Sequence, residues 1–76
     1  MSKREKLMEM TTQKIVVYLM RDRNLDIDEA MNLFYNSVVF EKLHDENTGL
    51  YLDGALYVYD LVQNEIRNGR LVQEEI

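Results

Sequence analysis

The segment Asp26-Ile27-Asp28-Glu29 constrains the fold more than any other in the chain. Asp26 is a favoured helix N-cap, and Glu29 stands three residues later, where its side chain can return to the cap backbone. Asp28 and Glu29 in the first turn also complement the helix dipole. Leu25 and Ala30 occupy the flanking staple positions. The apolar series Ile27, Ala30, Met31, Phe34, Val38 then recurs at helical spacing. A helix over about 27–36 follows, and its apolar face requires other elements to cover it.

The rest of the chain offers mostly helices for that purpose. Residues 3–22 carry Met8, Ile15, Val16, Leu19 and Met20 at spacings that share one face, with no turn signal between Lys3 and Asp22. The β-branched run Ile15-Val16-Val17 would also suit a strand, but the uninterrupted length favours a helix. The nearly all-apolar stretch 15–20 predicts burial on more than one side, at the centre of the core. After Phe34, Asn36-Ser37 can stop one helix and cap another, so 27–44 reads either as one bent helix or as two. The second would cover about 38–44 with Val39, Phe40 and Leu43 inward. His44-Asp45-Glu46-Asn47-Thr48-Gly49 is a turn by composition.

The stretch 48–61, TGLYLDGALYVYDL, admits two readings. Asp53-Gly54 between apolar residues is a hairpin signal, with strands at 50–52 and 55–59. Alternatively Asp53 caps a helix over about 54–68. The stripe Ala55, Val58, Tyr59, Val62, Ile66 runs on past the would-be strand, and an isolated hairpin is marginal in water, so the helix is preferred. Arg67 then lies in the last turn and Gly69 at a left-handed C′ position. Residues 50–52 become a short extended linker whose leucines cover the bundle's edge, and 70–76 a short turn or loose tail. The expected fold is all-α: a compact bundle of three to four helices (about 3–22, 27–36, 38–44, 54–68) forming one domain over 1–76, with 1–5 and 70–76 frayed.

Composition bounds the function. A 76-residue chain forms a thin core, so dimerisation or docking on a larger protein would add stability. It has no cysteine, which excludes disulfides, thiolate metal sites and thiol catalysis. The apolar run 15–20 is too short for a membrane helix, and no signal peptide is visible, so a cytoplasmic location is expected. Net charge is −5 but unevenly spread. Residues 1–23 carry six basic against three acidic side chains, and residues 24–76 carry three against eleven. The acidic part would repel a phosphate backbone and attract a basic protein.

Candidate chemistry fails in each case. Asp22, Asn24, Asp26 and Asp28 alternate like calcium ligands, but the sixth and twelfth loop positions hold Ile27 and Leu33 instead of Gly and Glu. His44 is the one histidine and reads as a helix C-terminal residue. No phosphate loop and no nucleophile–base pairing stands out. No catalytic, cofactor or metal residue is therefore assigned, and no enzyme is expected. A basic first helix could serve a small DNA-binding regulator, but the segment 38–44, with Glu41, Lys42 and His44, makes a poor recognition helix. Nucleic acid and membrane are not expected as partners. Tyr51 and Tyr57 fall off the core stripe, and tyrosine is enriched in binding hot spots. With Asp53 and Asp60 they form the candidate partner interface.

With EAMNLFYNS (29–37) and TGLYLDGALYVYDLV (48–62) in view, the chain resembles a family of short bacterial proteins of unknown function, about 70 residues long, over roughly residues 12–66. Its members are often encoded beside proteins that look like ADP-ribosyltransferase toxins. The resemblance implies an antitoxin-like or accessory role, with a basic toxin-like protein as partner. It implies no catalytic residue. The combined expectation is a non-catalytic protein–protein interaction module, with a homodimer compatible.

Overall fold

A computed structural model describes residues 2–68. Four α-helices run in order: α1 (Lys3–Arg23), α2 (Ile27–Tyr35), α3 (Val38–Leu43) and α4 (Ala55–Arg67), with 3-10 turns at Glu46–Thr48 and Leu50–Leu52 between the last two. No strand occurs among the described residues, so the expected all-α bundle is observed.

The longest helix is better anchored than its sequence suggested. Ser2 and Glu5 form a reciprocal capping box: the Ser2 hydroxyl accepts from the Glu5 N–H at 3.1 Å, and the Glu5 carboxylate accepts from the Ser2 N–H at 3.1 Å. At the other end Asn24 adopts the left-handed conformation (φ 56°) and its N–H returns to the Met20 carbonyl. Asn tolerates this geometry because its short polar side chain fits there. Met8, Ile15, Val16 and Leu19 are buried, but Val17 is 55% exposed. The expected burial of 15–20 on more than one side is therefore observed for every residue of the stretch but Val17, with Tyr18 and Met20 partly buried. α2 and α4 flank α1 and leave its outer face open.

At α2 the Asp26–Glu29 capping box forms as read, with both hydrogen bonds at 2.8–2.9 Å. Ala30 and Phe34 bury its face. The helix ends at Tyr35, and 27–44 is two helices, not one. Ser37 is the joint. Its hydroxyl donates to the Phe34 carbonyl at 2.5 Å, and accepts from the Phe40 N–H at 3.0 Å. One buried side chain therefore closes α2 and opens α3. Val38, assigned above to the α2 stripe, instead starts α3 and is exposed.

The joint is locked from outside by Glu65 on α4. Its two carboxyl oxygens accept from the N–H groups of Val38 (2.8 Å) and Val39 (3.1 Å). Those donors open α3 and have no partner within it. Glu65 is 6% exposed, so few waters could replace it. No buried carboxyl was expected from the sequence. Yet Glu65 lies three residues after Val62 and seven after Val58, on the apolar stripe of α4, and a polar residue on such a stripe is itself a signal.

Residues 50–59 correct the sequence reading in two places. The expected extended linker at 50–52 is a 3-10 turn, closed by Leu52 N–H to Gly49 O and Asp53 N–H to Leu50 O, both 3.0 Å. Gly49 precedes it at φ +66°. In an extended chain Leu50 and Leu52 would share a side. The turn separates them: Leu50 is buried and Leu52 is 70% exposed. The cap also moves. Gly54, not Asp53, is the N-cap of α4, and no side chain caps this end. Asp53 sits one residue too early, as the C-cap of the 3-10 turn. The hairpin alternative is not formed. The Gly69 cap and the 70–76 tail lie outside the described residues.

The core joins Ile15 and Leu19 of α1, Phe34 of α2, Leu43 of α3, and Val58 and Val62 of α4, all fully buried. The edge-on Phe34–Phe40 pair, 5.3 Å between centroids, carries it across the α2–α3 joint. Replacing Glu65 by Ala should cost about 3 kcal/mol, since one buried and one part-buried N–H group would lose their acceptor. Urea unfolding measures this, and a loss under about 1 kcal/mol would show that water can replace the carboxyl.

Candidate protein interface

α4 lies alongside α1 because Tyr59 ties them. Its hydroxyl donates to the Asp22 carboxylate at 2.9 Å and approaches the Tyr18 carbonyl at 3.4 Å. The Tyr18 and Tyr59 rings pack with centroids 5.1 Å apart. Further along, Arg23 donates to the Gln63 side chain at 2.9 Å. Burial, with the bond to Asp22 second, pushes the Tyr59 hydroxyl up to about 12. The Tyr59 bond, with Arg21 second, holds the Asp22 carboxyl below its ordinary value.

This alignment sets the N-terminal halves of the two helices against the 50–54 turn. A shallow groove of about 280 Å³ results, lined by Leu7, Met10, Lys14, Tyr51, Leu52 and Asp53, with Ala55 at its end. Its rim is apolar and open. Leu52 is 70% exposed, Leu56 73%, and Leu7 and Met10 are exposed as well. Leu56 lies three and seven residues before Tyr59 and Gln63, the α4 residues bonded to α1, so it borders the groove side of α4. Asp60, exposed, follows Leu56 by one turn.

The four interface residues read from the sequence divide. Tyr51 and Asp53 line the groove together, and Tyr51 is half-buried against the core. Asp60 stands beside the rim. Tyr57, 54% exposed, lies elsewhere. It precedes Leu61 by one turn, and Leu61 faces Val38, Val39 and Lys42 of α3. Tyr51 and Tyr57 therefore occupy opposite flanks of α4.

The apolar rim was not read from the sequence, although a signal existed. Lys3, Leu7, Met10, Lys14, Val17 and Arg21 recur at alternating spacings of four and three. They form a second stripe on α1, apart from the Met8–Ile15–Leu19 core stripe.

His44 follows the last turn of α3 as its C-cap, with its Nδ1 3.2 Å from the Phe40 carbonyl and its ring packed on Phe40. It borders a depression with Glu5, Met8 and Glu9. Both carboxylates there are exposed, which leaves them hydrated. Among the described residues no group of three or more His, Cys, Asp or Glu is placed to hold a metal ion. None of the described helices is long and apolar enough to cross a membrane. Comparisons with protein-family models, with curated proteins and with solved structures find no match.

Two outcomes test the site as drawn. Leu52→Ser and Leu56→Ser should each change stability by less than about 0.5 kcal/mol, as exposed positions do, whereas Leu50→Ala should cost about 2–4 kcal/mol. Calorimetry would show whether Leu52 instead belongs to the core. For Tyr59 the pH sign is defined. The raised hydroxyl contributes stability that is complete below about pH 10 and lost as pH rises toward about 12. The lowered Asp22 carboxyl contributes stability present above its ordinary value of 3.8 and lost as pH falls through its folded value. Tyr59→Phe should flatten both limbs of the stability–pH curve. An unchanged curve would mean that the bond does not form in solution.

Proposed function

We propose that this chain is a non-catalytic interaction module that docks a larger basic protein through the face formed by α1, the 50–54 turn and the start of α4. The observation that carries the reading is the cluster of exposed apolar side chains around that groove. Leu52 and Leu56 stand mostly in water beside half-buried Tyr51, with Asp53 and Asp60 at the edge. Contiguous exposed apolar side chains rimmed by charge are what docking surfaces are made of. Tyr51 can act as an anchor already held in place, so little side-chain entropy is lost when it is covered.

Charge supports the choice of a basic partner. The imbalance of residues 24–76 would draw a cationic surface and raise its association rate at low salt. The resemblance to short bacterial proteins encoded beside ADP-ribosyltransferase-like toxins adds an antitoxin-like setting to this proposal. A cytoplasmic encounter suits it.

Co-expression with the protein encoded next to it in its native host tests the reading. A stable complex should survive purification. Leu52→Asp with Leu56→Asp should weaken it by about 2 kcal/mol or more, as hot-spot changes do. Raised salt should slow association more than it speeds dissociation. A complex indifferent to both substitutions, or no complex at all, would overturn the proposal.

A further inference from the structure

The docking face carries on one of its walls the chemistry that it asks of a partner. Along the outer edge of α1, Leu7 and Met10 share a stripe with Lys14 and Arg21, all exposed. The opposite wall offers Leu52 and Leu56 with Asp53 and Asp60, exposed as well. An apolar edge bearing cations thus lies beside an apolar edge bearing carboxylates on one surface. Lys14, Asp53 and Asp60 take part in no ion pair among the described residues. Arg21 is bonded to Asp22 at 3.3 Å, and its guanidinium lies over the Tyr18 ring, which packs on Tyr59. That contact places Arg21 on the α4 side of α1.

α1 and α4 run parallel and in a fixed register. Lys14 lies by the 51–55 segment, Tyr18 and Asp22 by Tyr59, and Arg23 by Gln63, so an α4 residue is level with the α1 residue about 40 positions before it. Lys14 is therefore level with Asp53, and Arg21 with Asp60. A two-fold axis that lies in the plane of the face, between the helices and parallel to them, carries α1 of one copy onto α4 of the other and leaves every height unchanged. Lys14 then meets Asp53 of the second copy and Arg21 meets its Asp60, each pair occurring twice. Leu52 falls level with Met10 of the other copy. Leu56 falls between its Lys14 and Arg21, where the aliphatic stems of both can cover it. A two-fold axis across the helices would set α1 on α1, cation on cation, and α4 on α4, carboxylate on carboxylate, which like-charge repulsion disfavours. The charge pattern therefore selects the first arrangement.

We infer that the free protein closes this face with a second copy of itself, α1 of each chain lying along the 52–60 segment of the other and parallel to it. A domain with so thin a core gains stability by covering its two most exposed leucines, Leu52 and Leu56. The inference rests on the reading of this face as a docking surface and names what covers it before a partner arrives.

Sedimentation equilibrium of the full chain between about 5 and 500 μM reads the outcome, a range that brackets weak dimers. A concentration-dependent dimer is expected. Lys14→Glu and Asp53→Lys should each raise its dissociation constant several-fold, because two pairs per dimer become like-charged. An equimolar mixture of the two variants should return to the original constant, since every acidic position again faces a basic one across the interface. Pairing within one chain would give no such rescue. Leu52→Asp with Leu56→Asp should raise the constant by about tenfold or more. Ile27→Asp, in the groove between α1 and α2, should leave it unchanged. Circular dichroism confirms that each variant is folded. A monomer throughout the range, a mixture no tighter than its components, or a dimer indifferent to Leu52 and Leu56 would each overturn the inference. The partner proposal is read apart from it. A chain that is monomeric at every concentration yet binds the neighbouring protein through this face overturns the inference alone, and a dimer that forms no such complex supports it alone.

Discussion

Glu65 holds the carboxyl on which the arrangement of the other elements depends. α2 has nine residues and α3 six, lengths at which isolated helices are marginal in water. α3 in particular opens with N–H groups that no earlier turn of its own can satisfy. Ser37 supplies one acceptor, and Glu65 supplies two more from the far side of the core. The cost of burying a polar group is offset only when its hydrogen bonds are made. Burial of Glu65 and formation of α3 therefore require each other. That mutual requirement sets the rotation of α4, and Tyr59 bonded to Asp22 sets it again from the α1 side.

The two ties together explain why apolar side chains remain outside. With Val58, Tyr59, Val62 and Glu65 turned inward, Leu56 and Asp60 must turn outward. With Met8, Ile15 and Leu19 inward, the stripe from Leu7 through Met10 to Val17 must face water. A domain this small has too little interior to hide every apolar residue. Where the remainder collects is decided by the rotation of α1 and α4, and most of it collects beside α1, with Val38 and Tyr57 left on the α3 side of α4. The exposed acidic side chains lie mainly on α2 and in the turns, while α1 keeps most of the basic residues. Opposite charges thus border the apolar face between α1 and α4.

Much of the fold was legible because it rests on local rules. The Asp26–Glu29 box acts within four residues, and it formed as its spacing implies. The break at Asn36-Ser37 was marked by residue type, although only the seating of Ser37 against Phe34 and Phe40 made it a break rather than a bend. The start of α4 was less legible. Asp53 and Gly54 are both acceptable first residues, and the choice fell to Gly54 because the 3-10 turn consumes Asp53. The candidate interface was half legible: Tyr51 and Asp53 meet at one groove, while Tyr57 was separated from them by the rotation of α4.

By itself the sequence determined that this chain would be helical, where its strongest cap would lie, and that its charge would be divided between a basic first helix and an acidic remainder. These follow from periodicity, capping chemistry and composition, which act over a few residues or not through space at all. Only the tertiary structure decided that Glu65 caps α3 from 26 residues away, that Leu50 goes in while Leu52 stays out, and which apolar side chains are left in water. The reason is that one helix face can be buried only against another. Which residues lie at the margin is a property of the pair and of the angle between them, and neither segment carries it alone.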